Sequence, residues 1–435
     1  MNGRVSRASG PLAEPASRVR VSTIHSDQWT FGRVPLRAER RSDLGYPPVG
    51  LTNRGWYRAA VNRWLVDTRG IVEITEGRGR IQFALLCLRE FRRRRPDGRA
   101  IIVVPSLYAL DVWSVIMADY GVPGDEVVRI SGDERATKLR PVSLVTINSV
   151  RQLVAFTGRK AQTLLIVDEC QRTQGLWTGG VLSGSFGATL GLASTPVGSR
   201  GLPAKPAMAR LGPLLWHRTQ IERGRGSLEL INVKVDLPLA ERARYTLLTS
   251  RAAAFQRAQR PELEARNAKR RMRLLKIRSA LSAAARVRLQ VAAKIIDQHR
   301  GDRTFVFLDV ARSAEALGEL LRGRHHSVCL WHSDLAPAER RANLCRFHHG
   351  AADVLIVCHG ADSLTYLHPA TVGVVVTPGR HAGLAVDALR HALGGRRDHR
   401  AELYALFTSD DERGRLDRAA RTFPRTRVFW RAGTP

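Results

Sequence analysis

Residues 163–171 read TLLIVDECQ, an apolar run that ends in two adjacent carboxylates, Asp168 and Glu169. A short, continuously apolar run suits a strand that is buried on both faces of a parallel sheet. Ligands of open α/β sheets bind beside the carboxyl ends of the strands, so this pair of acids is expected at a binding edge. A strand that ends in two solvated carboxylates is the simpler alternative, and the surrounding segments decide between them.

Similar apolar runs lie on both sides of this stretch and alternate with helical segments or turn residues. This alternation predicts two α/β units with parallel sheets. The runs of the first unit are GIVEI (70–74), AIIVVPS (100–106), SLVTINS (143–149), TLLIVDE (163–169) and GATLGLAST (187–195). Those of the second are TFVFLDV (304–310), SVCLWHS (327–333), DVLIVCHG (353–360), VGVVVTP (372–378) and AELYALF (401–407).

Four segments follow from this pattern. Residues 1–44 are a basic N-terminal arm that we expect to be disordered, although its Arg, Ser and Ala also suit a transit peptide. Residues 45–222 form the first unit and residues 300–435 the second. Residues 223–299 are a linker and a helical connector, because Ala, Leu, Arg and Glu recur there at helical spacing.

The charge balance predicts a polyanionic partner. The chain has 70 Lys and Arg against 39 Asp and Glu, a formal net charge of +31 over 435 residues. Such a field attracts nucleic acid, and we expect DNA, although an Arg-rich codon bias would also raise the charge. The connector helix contributes Arg270, Arg271 and Arg273, which either follow a phosphate backbone or form a solvated helix face.

Cysteine usage and hydropathy predict a cytoplasmic protein. The five cysteines contain no Cys-x-x-Cys pair, so neither a disulfide framework nor a zinc ribbon is indicated. No run reaches the ~18 apolar residues of a membrane span. Cys345, His348 and His349 lie together in LCRFHHG, but they lack a second pair at zinc spacing and are interpreted as ordinary helix residues.

A Gly-x-Gly turn joins the first apolar run to a helix. Residues 73–83 read EITEGRGRIQF, which has the shape of a phosphate-binding loop between a strand and a helix. The backbone amides of residues 77–80 could cradle a phosphate there. Such a loop normally continues with Lys and then Ser or Thr, whereas this chain has Arg80 and Ile81.

The order and spacing of these segments resemble those of superfamily 2 helicases and translocases, the DEAD/DEAH-type group. EITEGRGRI stands at the phosphate loop, VVPSLYALDVW at motif Ia, VTINSV at the strand that contacts nucleic acid, VDECQ at motif II and GLASTP at motif III. TFVFLDV, LIVCHGADSL and VDALRHALGGRR resemble motifs IV, V and VI. The resemblance covers residues 45 to 430 and implies two RecA-like P-loop NTPase lobes, with ATP between them and nucleic acid across both.

The resemblance also implies roles for single residues. Asp168 would hold Mg²⁺ and Glu169 would orient the attacking water, which makes this pair catalytic. The implied nucleotide contacts are Arg58, Gly77, Arg78, Gly79, Arg80 and Ile81. The implied arginine-finger candidates are Arg390, Arg396 and Arg397, and the implied nucleic-acid contacts in the first lobe are Ser106 and Thr146.

Several residues depart from the family pattern. Arg80 keeps a charge but is planar and longer than Lys, and Ile81 has no metal-ligating hydroxyl. The departures elsewhere are Arg58 in place of Gln, Glu76 in the loop, Ser363 and Leu364 in motif V, and an unshifted motif VI without finger arginines. Loss of an arginine finger costs on the order of 10³–10⁵ in rate.

Two hypotheses therefore remain open. The first is a helicase-like DNA-binding protein with ATP and Mg²⁺ between its lobes and weakened ATPase or translocase activity. The second is an inactive pseudo-helicase that serves as a scaffold for DNA or a protein partner. Asp168 and Glu169 favour the first hypothesis, whereas Arg80, Ile81 and the altered motifs of the second lobe favour the second.

Overall fold

The structure is a computed structural model. It describes residues 55–74, 77–136, 138, 140–172, 185–194, 209–218, 228–257, 264–358, 370–377, 386, 389, 393, 401–421 and 427–433. For a few of these, only the backbone is described. The N-terminal arm predicted over residues 1–44 lies outside these ranges.

The first lobe is built on a parallel sheet of seven strands. Short runs rich in Ile, Leu and Val form its centre and are buried on both faces, as a sheet covered by helices requires. The strands are β1 (Arg69–Ile74), β2 (Arg99–Val104), β3 (Val127–Ile130), β4 (Val142–Thr146), β5 (Thr163–Val167), β6 (Ala188–Ala193) and β7 (Leu214–Arg218). Their order is β3-β4-β2-β5-β6-β1-β7.

The second lobe has a second parallel sheet of seven strands. Its strands are β8 (Leu228–Val235), β9 (Thr304–Leu308), β10 (Val328–Trp331), β11 (Val354–Cys358), β12 (Val372–Val375), β13 (Ala401–Phe407) and β14 (Arg427–Gly433). Their order is β10-β11-β9-β12-β13-β8-β14, and every described strand pair in both sheets is parallel. The predicted α/β class with two parallel sheets is confirmed.

Strand β8 changes how the connector is understood. Sequence analysis assigns residues 223–299 to a linker and helical connector, yet β8 lies between β13 and β14 in the second sheet. Residues 228–235 read LELINVKV, an alternation of apolar and polar residues that is typical of a strand and was missed. The second lobe therefore begins with β8, and the helices that follow are an insertion between its first two strands.

Helices cover the sheets and form that insertion. Around the first sheet lie α1 (Gly55–Asp67), α2 (Gly77–Arg94) and α3 (Leu107–Asp119). The insertion consists of α4 (Leu239–Arg257), α5 (Glu264–Ala283) and α6 (Arg286–Gln298), and the second sheet adds α7 (Ala311–Gly323), α8 (Pro337–His348) and α9 (Asp410–Arg421). Helices α4 and α5 pack against each other, whereas α6 buries its apolar side against the second sheet.

Apolar packing is continuous from one lobe to the other. A single cluster of buried side chains contains Tyr108 and Trp113 of the first lobe together with Phe305, Trp331 and Phe347 of the second. The rings of Tyr108 and Trp331 meet edge to face, with their centroids 4.9 Å apart. The contact between the lobes is therefore a packed apolar surface as well as a polar one.

Over the ranges that the structure describes, no helix combines the length and the apolar character needed to cross a bilayer.

Candidate functional site

The candidate site lies at the carboxyl edge of the first sheet. Strand β1 leads through residues 75 and 76 into α2, and β5 ends immediately before Asp168 and Glu169. Strands β1 and β5 are separated only by β6 and run in the same direction. The start of α2 and the two acids are thus brought to the same edge, as the sequence analysis predicts.

The side chain of Arg80 joins the two acids. Its Nη2 lies 2.7 Å from Glu169 Oε1, and its Nε lies 3.6 Å from Asp168 Oδ1. Nη1 donates a hydrogen bond of 3.2 Å to the carbonyl oxygen of Ile74, at the end of β1. The Arg80 side chain is fully buried, and the two carboxylates are almost fully buried. The Arg80 guanidinium therefore lies between two carboxylates, and all three groups are shielded from solvent.

Neighbouring donors complete the environment of Asp168. The indole Nε1 of Trp113 donates a hydrogen bond of 2.8 Å to Asp168 Oδ2. The backbone N–H of Glu169 donates to Oδ1 over 2.9 Å. Each oxygen of this carboxylate thus receives a hydrogen bond, in addition to the charge of Arg80. A buried carboxylate of this kind is stable because its charge is compensated.

Glu169 is held in a similar way. The hydroxyl of Ser194, at the end of β6, donates to Glu169 Oε2 over 2.6 Å, and the side-chain amide of Gln171 donates to the same oxygen. Gln171 also donates to Ser194 Oγ over 3.1 Å. Burial, together with the charges of Glu169 and Asp168, raises the pKa of the adjacent Cys170 thiol far above its usual value. Cys170 is therefore a neutral core residue.

Glu169 also has an unusual backbone conformation. Its φ is 50°, which falls in the left-handed region that side chains other than Gly rarely adopt. Such strained residues cluster at functional sites, where the surrounding contacts hold them in place. Here the contacts of the Glu169 carboxylate with Arg80 and Ser194 hold the residue in this geometry.

The other predicted nucleotide contacts are placed less favourably. Ile81 is completely buried in the apolar core of the first lobe, so its position offers neither a hydroxyl nor an open coordination point. Gly79 is buried at the start of α2. Gly77 and Arg78 lie in the first turn of α2 and Arg58 lies in α1, but the structure describes only their backbone.

Ser106 and Thr146, the predicted nucleic-acid contacts of the first lobe, both make local hydrogen bonds. Ser106 is the N-cap of α3, and its hydroxyl accepts a hydrogen bond of 3.2 Å from the backbone N–H of Ala109. Thr146 is buried, and its hydroxyl donates to Ser149 over 3.1 Å. Ser106 is partly exposed and so is the better placed of the two for a contact with a backbone phosphate.

Helix α5 presents a basic, solvent-facing stripe. Its sequence carries seven basic residues and one acid. Of the predicted contacts, Arg270 and Arg273 are exposed and Arg271 is half-buried. The guanidinium of Arg270 stacks over Phe255 of α4 at 5.9 Å. The exposed basic residues of the stripe lie on one face of the helix: Arg266, Lys269, Arg270, Arg273 and Lys276.

A second buried charge cluster joins the two lobes. Asp111 of α3 is completely buried, and Arg340 of α8 donates to its Oδ2 from Nε over 3.0 Å. Trp331 of β10 donates to the same oxygen over 3.0 Å, while Arg129 of β3 donates to Oδ1. One carboxylate of the first lobe thus accepts from two side chains of the second lobe.

Further ion pairs surround this contact. Arg340 also reaches Asp133 over 3.1 Å, and Arg341 reaches Glu134 over 3.2 Å. Burial alone would raise the pKa of Glu134, but the hydrogen bond and charge of Arg129, with the charge of Arg341, hold it below its usual value. An acidic face of the first lobe therefore meets a basic face of α8.

Sequence reasoning missed several of these residues. Trp113 and Asp111 lie in the quoted segment VVPSLYALDVW, and Arg340 lies in α8, but none of them was given a role. The available signal was Asp111 itself, a single acid in the middle of a mostly apolar helix. Such a helix is expected to be buried, and a buried Asp almost always has a partner. The partner itself is more than 200 positions away in the chain, so no local pattern reveals it.

Several predicted residues of the second lobe lie outside the described ranges. These are the arginine-finger candidates Arg390, Arg396 and Arg397 and the motif V residues Ser363 and Leu364. Glu76 of the phosphate loop also lies outside them.

Comparison with known proteins places the fold among helicases. No protein-family profile matches the sequence, and no curated protein matches it. Among solved structures, S. cerevisiae Dbp5 bound to RNA and ADP BeF3 is similar with a TM-score of 0.57 and 14% identity, over 86% of this chain and 89% of that one. The helicase MrfA bound to DNA is similar with a TM-score of 0.54 and 10% identity, over 86% of this chain and 49% of that one. The predicted fold of two RecA-like lobes is confirmed, and it is similar to the fold of these helicases.

The Arg80 cluster generates a stability prediction. Replacing Arg80 with Met leaves two buried acids without their cation, so we expect a loss of about 3–5 kcal/mol in the free energy of unfolding. Arg80→Lys keeps the charge and should lose clearly less. Urea denaturation of the three proteins measures the difference. An Arg80→Met variant as stable as the wild type would show that the ion pair does not hold the site together.

The contact between the lobes generates a second prediction. Asp111→Asn removes the buried charge that compensates Arg340 and Arg129, and we expect a loss of about 3–5 kcal/mol. Asp125→Asn, at an exposed position of the same lobe, is the control and should change stability by less than about 0.5 kcal/mol. Equal losses in the two variants, measured by chemical denaturation, would contradict a specific role for Asp111.

Proposed function

We propose that this protein binds nucleic acid, in the first instance DNA, with a helicase-like pair of lobes that turns over ATP slowly or not at all. The observation that carries the proposal is the pairing of Arg80 with both Asp168 and Glu169. In P-loop NTPases an acid at the position of Asp168 holds Mg²⁺. Here a side chain of the protein itself supplies the positive charge at that position.

The chemistry of the site supports low ATPase activity. Mg²⁺ could bind Asp168 only if the Arg80 guanidinium moved away or shared the carboxylate with the ion. Arg80 is fixed by Ile74 as well as by the acids, and a planar guanidinium does not replace the compact ammonium of Lys. Ile81 is buried, and its side chain cannot supply the metal-ligating hydroxyl. Mg²⁺ and ATP would bind weakly in such a site.

The contact between the lobes supports the same proposal. Domains that bind a ligand between them commonly open and close by hinge or shear motion, and such a motion requires an interface that can separate. In this protein a completely buried carboxylate and two edge-to-face aromatic rings hold α3 against the second lobe. Separation would expose Asp111 and Arg340 without their partners. We infer that the lobes stay in one arrangement.

Charge and shape support binding of a nucleic acid. The net charge of +31 attracts a polyanion over long distances, and the α5 stripe offers exposed basic side chains on one helix face. Of the two structural relatives, Dbp5 is bound to RNA and MrfA is bound to DNA. One of these structures holds RNA and the other DNA, so binding to this protein is to be measured with both polymers.

The proposal predicts how nucleotide affinity responds to mutation. Wild-type protein should bind Mg²⁺–ATP weakly, and Arg80→Lys with Ile81→Thr should bind it at least tenfold more tightly, because it returns the ammonium and the hydroxyl. Arg80→Lys alone is the matched control and should gain less. Adding Asp168→Asn should remove the regained Mg²⁺ dependence. Calorimetry with and without Mg²⁺ measures each of these affinities.

The rate of ATP hydrolysis distinguishes a weakened ATPase from an inactive pseudo-helicase. A phosphate-release assay on wild-type protein should show no stimulation by single- or double-stranded DNA or RNA. Tight, Mg²⁺-dependent ATP binding together with nucleic-acid-stimulated turnover would contradict the proposal and establish a working motor.

The proposal also predicts a steep salt dependence of DNA binding. On duplex DNA, log K should fall with log salt at a slope of about −0.9 for each phosphate neutralised. The triple change of Arg270, Arg271 and Arg273 to Gln should flatten the slope by about 1 to 3 and weaken binding to all sequences alike. Fluorescence anisotropy titrations at several salt concentrations provide the slopes, with RNA of matched length run in parallel.

A control with the same change in net charge tests whether α5 is specific. Arg89, Arg93 and Arg94 are exposed on α2 of the first lobe, and their change to Gln should leave the slope nearly unaltered. Equal flattening by both triple variants would mean that overall charge, and not the α5 stripe, holds the polymer. No binding at low salt would exclude nucleic acid as the partner.

A further inference from the structure

A cluster of metal-ligating side chains lies where the ends of two helices meet across the lobes. Asp119 is the last residue of α3, His348 is the last residue of α8, and His349 caps α8. His348 Nε2 lies 2.7 Å from Asp119 Oδ2, and His349 Nε2 lies 3.0 Å from Asp119 Oδ1. All three ligand atoms lie within 4.8 Å of one another.

We propose that Asp119, His348 and His349 form a zinc site that joins the two lobes. Two imidazoles and one carboxylate are a ligand set that Zn²⁺ accepts, with a fourth position open to water. Tetrahedral zinc with ligand distances of about 2.0–2.2 Å needs ligand atoms roughly 3.3 Å apart. The two imidazole nitrogens lie 2.7 Å and 3.0 Å from oxygens of Asp119, which is closer than this, and they lie within 4.8 Å of each other. Small side-chain adjustments would bring all three residues to one ion.

The orientation of His349 supports coordination through Nε2. Its Nδ1 lies 3.0 Å from the carbonyl oxygen of Cys345, one turn earlier in α8. A carbonyl oxygen only accepts hydrogen bonds, so Nδ1 is the ring nitrogen that would donate to it, and Nε2 is the ligand atom that faces Asp119. Metal-bound histidines typically have such a second hydrogen bond.

The local electrostatics also favour a cation. Helices α3 and α8 both end at the cluster, and the carboxyl end of a helix carries a partial negative charge.

The three side chains differ in burial, so the site has one fixed ligand and one side that is open to solvent. His348 is almost completely buried, which fixes one ligand. The His349 side chain is 48% exposed and that of Asp119 is 25% exposed, so an ion can enter from solvent on that side. Burial, together with the charge of Asp119, raises the pKa of the Cys345 thiol, which disfavours a thiolate ligand. The carbonyl oxygen and the Sγ of Cys345 lie 3.0 Å and 3.3 Å from His349 Nδ1, and both contacts orient the ring.

The consequence of the proposal is a metal clip between the lobes. Asp119 belongs to the first lobe and both histidines belong to the second, so one ion would bind both lobes at once. This role involves none of the residues of the Arg80 cluster and does not rest on the proposed function.

Zinc titration of the full chain tests the site. After chelator treatment, calorimetry with zinc chloride should give one ion per chain. Asp119→Asn and His349→Ala, both at partly exposed positions, should each lower the affinity by at least tenfold, since each removes one ligand. His325→Ala, at an exposed histidine on the same lobe, is the matched control and should leave the affinity unchanged. Cobalt should replace zinc and give the visible absorption of a tetrahedral site.

Hydrogen exchange tests whether the ion joins the lobes. Zinc should slow amide exchange in both α3 and α8 of the wild type, and in neither helix of Asp119→Asn. Unchanged affinity in both ligand variants, or protection confined to α8, would overturn the proposal and leave an ion pair of Asp119 with protonated imidazoles. Circular dichroism confirms that each variant is folded before it is titrated.

Discussion

The buried carboxylate of Asp111 is the interaction on which the arrangement of the two lobes depends. A charge without solvent must be compensated by nearby donors, and here two of the three donors, Arg340 and Trp331, come from the other lobe. The apolar contacts around it constrain the orientation of the lobes less, because hydrophobic packing is non-directional. A buried ion pair is stable only in a few geometries. Asp111 thus provides specificity, and the apolar cluster that spans both lobes provides most of the binding energy.

The fold could be predicted from the sequence because it depends on local patterns. Apolar runs such as residues 163–167 and 304–308 appear in the structure as central strands, and the order of the motifs indicated a helicase-like fold. The place of strand β8 in the second sheet could not be foreseen, because its partners β13 and β14 come much later in the chain. Local pattern describes an element well, but pairing between distant elements is a property of the whole chain.

The position of the candidate site could be predicted from the sequence, but the contacts among its side chains could not. The acids Asp168 and Glu169 and the loop residue Arg80 all lie at the expected edge of the sheet. Their mutual contact was not foreseen, because the length of the Arg side chain was read as a defect in phosphate binding. The structure gives that length a role, since the guanidinium reaches both acids and the end of β1 at once. The residue that departs from the phosphate-loop pattern is thus the one that joins the two acids.

The position of β8 has a consequence for how the chain acquires its structure during synthesis. On a ribosome β8 emerges before the helical insertion and before the rest of its sheet, yet both of its neighbours, β13 and β14, emerge after β9 to β12. Until then this largely apolar strand has two unpaired edges, which is the state most open to wrong pairing. Helices α4 and α5 emerge directly after it, so the strand is separated from all of its later partners by a helical insertion whose second helix carries seven basic residues.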